Sequence, residues 1–228
     1  MKKTTFVALL LLSSQCLAEN LKVSLLTIES EWASIYYSTP KQKRGPEYCK
    51  LLDKTIHLST QHPKNAEPII WEAIVKASNA DHQDAVSALK SIHEARDLLL
   101  KAIEINPKAM NGSAYVTLGT LYYMVPKWPI AFGDQTTAQE MLQTALKINP
   151  KGIDSNYFYG DFLLSNNRLT EAEKYLKQAI DTPARVEQRF ADNQLKEEAK
   201  LALKNTKERR INSSKGLFAS LFSSQSIK

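Results

Sequence analysis

The sequence predicts an all-α protein of antiparallel helix hairpins stacked as a superhelix. Three observations lead there. Apolar residues recur at helical spacing along most of the chain. Glycine is scarce, seven in 228 residues, which suits helices better than turn-rich sheet. One set of small and large apolar positions also returns three times: Ala95, Leu99, Ala102 and Pro107; Ala138, Leu142, Ala145 and Pro150; then Ala172, Leu176 and Ala179, with Pro183 one residue early.

The physical logic of that set is a helix pair. Alanines let two helices approach, a leucine fills the gap between them, and a proline stops the second helix. The copies are offset by 43 and then 34 residues. The second offset is the period of the tetratricopeptide repeat, a helix–turn–helix unit. The expected repeats cover about 68–107, 112–150 and 154–183.

The elements follow in order. Lys2 and Lys3, the apolar run Phe6–Leu12 and Cys16-Leu17-Ala18 form an export signal over residues 1–18, too short in its apolar part to span a bilayer. Cleavage after Ala18 is the expected fate, with lipidation of Cys16 the alternative; either implies export, most simply to a bacterial periplasm. The helical domain then covers 19–209. Leu21, Leu25, Ile28, Trp32 and Ile35 make one helix face, and a loop fills Ser38–Gly45. Pro46 can open the next helix without losing a hydrogen bond, and that helix runs to about Thr60. Cys49 is expected to be a buried small apolar residue.

In the first helices of the repeats, Trp71 and Ile74, then Tyr115, Leu118, Gly119 and Tyr122, then Gly160 and Leu163 hold the landmark positions. The first two hairpins carry enlarged turns at the same end of the stack. The second of these contains Tyr122–Asp134, YYMVPKWPIAFGD. Asp134 is expected to cap the helix after it, and Asp154 or Ser155 the one that follows. Val186, Phe190, Leu195, Ala199 and Ala202 form the face of a closing helix over about 186–209, covering the last repeat. Residues 210–228 read as a disordered, serine-rich basic tail, in which Leu217, Phe218, Leu221 and Phe222 could line a short helix.

The charge is +6, and residues 196–228 hold eight Lys or Arg against three acids. A basic end suits solvation or an anionic surface; export argues against nucleic acid. No two of His57, His62, His82 and His93 sit three or four apart on a helix, so no histidine pair forms a metal face. There is no phosphate-binding glycine loop and no G-x-S-x-G elbow. The sequence therefore predicts no catalytic residues, no metal and no cofactor, and points to binding.

Repeat positions expected on the concave side are Glu72 and Lys76, then Val116, Thr120, Tyr123 and Met124, then Tyr157, Asp161 and Leu164. This aromatic and apolar mix suits an apolar ligand or an extended peptide. Trp128 and Phe132 either fold over that groove or plug the gap between helices.

YYMVPKWPIAFGD, the following A-x-x-x-L-x-x-A-L-x-x-N-P and then GIDSNYFYGDFLL resemble the T-component (TatT) family of tripartite ATP-independent (TRAP) transporters, exported tetratricopeptide-repeat proteins. The resemblance covers roughly Trp71 to Ala202. It implies a periplasmic accessory that associates with a solute-binding component, passes an apolar small ligand through a central channel and forms a homo-oligomer such as a trimer. The alternative is a scaffold for protein–protein assembly that holds no small molecule. The candidate ligand- or partner-binding residues are Tyr122, Tyr123, Trp128, Phe132, Asn156, Tyr157 and Asp161. The unfavourable lipidation site, with Gln15 before Cys16, and the basic tail depart from the family pattern.

Overall fold

The structure, a computed structural model, describes the backbone of residues 3–209 and the side-chain surroundings of residues 20–204. Those residues form nine α-helices: α1 (Lys3–Ser38), α2 (Arg44–Gln61), α3 (Ala66–Ala80), α4 (Ala85–Ile105), α5 (Ser113–Met124), α6 (Gln135–Ile148), α7 (Ile153–Ser165), α8 (Leu169–Asp181) and α9 (Arg189–Arg209). Among the described residues there is no strand, only an isolated bridge between Lys127 and Gly133. The fold is all-α, with adjacent helices packed as hairpins into a tetratricopeptide-like superhelix. The tail beyond Arg209 lies outside the described residues. Helix α1 runs unbroken past Ala18.

The repeated alanines and leucines form the contacts within hairpins. Ala95, Leu99 and Ala102 of α4 are fully buried, as are Ala138, Leu142 and Ala145 of α6 and Ala172, Leu176 and Ala179 of α8. Gly119 and Gly160 supply the close approach. A Cβ on Gly119 would lie 2.7 Å from Leu142 Cγ, and one on Gly160 would lie 2.9 Å from the Leu176 side chain, so only glycine lets each first helix rest on its partner's leucine. Between α4 and α5 the chain passes through three consecutive left-handed residues, Met110, Asn111 and Gly112.

Several expectations are corrected. The first hairpin has no enlarged turn: only four residues, 81–84, separate α3 from α4. The surplus has lengthened α4 to 21 residues, against 14 in α6 and 13 in α8. Asp84 caps this long helix, accepting from the Val86 and Ser87 amides at 3.1 Å. Asp134 caps α6 by accepting from Thr137 N at 2.7 Å, but neither Asp154 nor Ser155 caps α7. Ser155 donates to the Asn149 carbonyl at 2.6 Å, and Asp154 lies inside the first turn, 3.0 Å from Arg185. Helix α9 starts at Arg189, so Val186 stands before it, 78% exposed, and Asp192 takes a buried place on its inner face instead. Cys49 is exposed, not buried; its sulfur accepts from Asn79 Nδ2 at 3.7 Å.

Candidate partner-binding surfaces

The α5–α6 insertion is a built object. Val125 N bonds to the Leu121 carbonyl, Gly133 N to the Pro126 carbonyl at 2.9 Å and Asp134 N to the Tyr122 carbonyl at 2.9 Å. A Cβ on Gly133 would lie 2.2 Å from the Val125 oxygen, so the loop closes this tightly only around glycine. Phe132 anchors it. Its ring meets Tyr122 edge-on at 5.2 Å and His93 at 5.1 Å, and the Arg96 guanidinium lies 4.8 Å from its centre. His93 and Arg96 belong to α4, so the preceding hairpin supports the insertion.

Phe132 and Tyr122 therefore fill space between helices, which is the plugging alternative for Phe132. Trp128 does neither thing expected of it. It does not fold over the groove and it does not plug a gap: its side chain is 85% exposed at the tip of the insertion, beside Ile130 at 61%. Apolar rings pack inward unless something opposes it, and here the anchored loop holds Trp128 away from the core.

A second surface runs along α5, α7 and α9. Tyr123 donates to Asp161 Oδ2 at 2.7 Å and sets its ring 5.6 Å from Phe162. Burial, followed by the Asp161 charge, pushes the Tyr123 phenol up. Glu198 of α9 faces Tyr157; burial raises the Glu198 carboxyl, and the Tyr157 hydroxyl partly opposes that rise. These rings and carboxyls form a tyrosine–acid wall. Asn156 is not part of it. It is 2% exposed, and its Nδ2 donates to the Pro150 and Gly152 carbonyls at 3.0 and 2.7 Å, so it staples the α6–α7 turn.

The other groove positions also shift. Ser59 of α2 donates to Glu72, Lys76 pairs with Glu94 of α4 at 2.6 Å, and Val116 and Leu164 are buried. The repeat consensus assumes an open first repeat. Here α2 packs beside α3, and α1 packs against α2, α3 and α9, so the chain's own first helix occupies the side that the consensus leaves free. Trp32 of α1 lies 6.1 Å from Trp71 and donates to Ser78 Oγ at 3.0 Å, while Tyr37 meets Phe190 of α9 at 6.1 Å.

Sequence reasoning missed one cluster altogether. Arg185 donates to Asp192 through its backbone N, Nε and Nη2 at 2.7, 3.0 and 2.5 Å, and Nη2 also reaches Asp154 at 3.0 Å. Glu29 of α1 lies close by, 6% exposed. The one available signal was an acid, Glu29, at helical spacing on an otherwise apolar face beside Leu25 and Ile28.

The fold defines a stacked-hairpin helical repeat protein. A tetratricopeptide-repeat family model matches residues 130–187, from the insertion tip through α6, α7 and α8 to the segment before α9. The match and the architecture together support a tetratricopeptide-repeat protein, a class that commonly serves as a scaffold for protein–protein interaction. No curated protein matches the chain.

Proposed function

We propose that this chain is an exported adaptor that grips a partner protein through the Trp128 tip and the tyrosine–acid wall. On this reading it works in the periplasm as an accessory of a tripartite ATP-independent transporter, and the solute-binding component is its partner. The motif resemblance over Tyr122–Asp134 and residues 152–164 supports the transporter assignment. The observation that carries the binding role is Trp128, held 85% exposed on an anchored framework. Exposed tryptophans that enter a partner's pocket contribute a disproportionate share of binding energy.

The test is Trp128→Ala measured against a purified solute-binding component from the same host. The expected result is an unchanged melting curve with affinity reduced by about tenfold or more, on the order of a tryptophan hot spot. Unchanged affinity in a folded variant removes the tip from the interface, and no binding by the wild type removes the transporter role. Native mass spectrometry of protein from its host tests the remaining parts of the proposal. A retained apolar molecule supports ligand carriage, and the same spectrum reports whether the adaptor works as a homo-oligomer.

A further inference from the structure

The first and last helices meet at one seam, α1 against α9, and α1 has two unlike sides. Toward α2 and α3 it is apolar: Ile28 and Ile35 pack with Tyr48, Leu51, Leu58, Trp71 and Val75. Toward α9 it presents Glu29 and Tyr37. The apolar side holds α1 on the molecule by burial; the α9 side depends on ionisable groups.

Glu29 enters a cluster whose single guanidinium is already engaged. Arg185 is bonded to Asp192 at 2.5 Å and to Asp154 at 3.0 Å, so three carboxyls share one strong cation. Lys22 and Gln188 line the small cleft next to Glu29, together with Trp71 of α3 and Met110. The further titratable groups along the seam are Tyr36 and Tyr37 on α1, Tyr157 and Asp161 on α7, and Glu198 on α9. A buried carboxylate beside two others is disfavoured both by lost hydration and by like charge.

We propose that the α1–α9 seam is a proton-operated closure. With Glu29 protonated, α1 stays seated against α2, α3 and α9. With Glu29 ionised, the seam opens on the α9 side while α1 stays attached to α2 and α3. Opening uncovers the Tyr123–Asp161 and Tyr157–Glu198 wall. That this wall then receives a partner rests on the adaptor reading; the closure itself does not.

Burial raises the Glu29 carboxyl to about 7; Arg185 pulls it down, and Asp192 and Asp154 push it up. The sign follows. A group whose closed-state value is raised stabilises closure fully below its ordinary value of 4.5. That contribution declines as pH climbs and is lost once pH passes the raised value.

Hydrogen exchange of the full protein, without any partner, reads the seam directly. After correction for the intrinsic rate, protection of residues 20–38 and 189–204 should fall by about tenfold or more between about pH 5 and about pH 8. Protection in α4, α6 and α8 should hold. Glu29→Gln, which keeps the shape and removes the charge, should lose most of that pH response. A flat wild-type profile overturns the proposal, as does a Glu29→Gln profile that falls like the wild type or a loss of protection in all helices together. If Glu29→Gln does not fold, the wild-type profile decides alone: a local fall between about pH 4.5 and about pH 7 upholds the closure and a flat line refutes it. Loss of partner binding with the pH response intact would count against the adaptor reading and leave the closure standing.

Discussion

The Arg96 guanidinium of α4 lies 4.8 Å from the centre of the Phe132 ring on the α5–α6 insertion, and this pair ties the insertion to the preceding hairpin. The ring is half-buried and also meets Tyr122 and His93. Phe132→Ala should destabilise the protein by about 2 kcal/mol, short of the cost of a wholly buried phenylalanine. Arg96→Ala should cost about 0.5–1 kcal/mol. Chemical denaturation of both single variants and the double variant should give a sum larger than the measured double effect, because each deletion removes the same contact.

Gly119 sets the spacing of the middle hairpin. An added methyl would lie 2.7 Å from Leu142 Cγ and 3.2 Å from the Ala138 carbonyl. Gly119→Ala should therefore cost about 1–3 kcal/mol by overpacking, despite alanine's better helix propensity. Leu142→Ala alone should cost about 2–5 kcal/mol. Combined, the two should cost less than their sum, since the truncated leucine makes room for the methyl. Thermal and denaturant melts check this; strict additivity would show that the helices do not meet there.

Asp192 is 1% exposed and takes three hydrogen bonds from Arg185. Asp192→Ala leaves that guanidinium paired with Asp154, with Glu29 close by, and frees the segment before α9. The expected loss is on the order of 3 kcal/mol, with faster hydrogen exchange in α9 than in α4 or α6. Equal loosening in all three helices would mean that the cluster does not anchor the C-terminal helix.

The hairpins were legible because their signal is local and repeated. Ala138, Leu142 and Ala145 announce a packed helix face by spacing alone, and so do their counterparts in α4 and α8. The Asp134 cap was legible for the same reason, since the capping residue adjoins the helix it caps. What the sequence hid is contact between distant segments. Glu29 and Arg185 are far apart in the chain, and neither position advertises the other. The groove assignments for Glu72 and Lys76 failed because the repeat consensus carries no knowledge of α1 and α2. Trp128 was misplaced because tryptophan usually seeks cover; only the bonding within the loop, around Gly133 and Phe132, shows why it is held out. The extra residues before Ala95 read equally well as loop or helix, and Asp84, with its cap, made them helix.

The seating of the insertion on α4 has an engineering consequence. Trimming the extra first turns of α4 would leave His93 and Arg96, and so the seat of Phe132, in place, whereas replacing those two side chains would bare one face of the ring. The insertion and the α4 face beneath it thus amount to a single transplantable cassette. Anyone grafting the tryptophan tip onto another helical array would have to move both halves together.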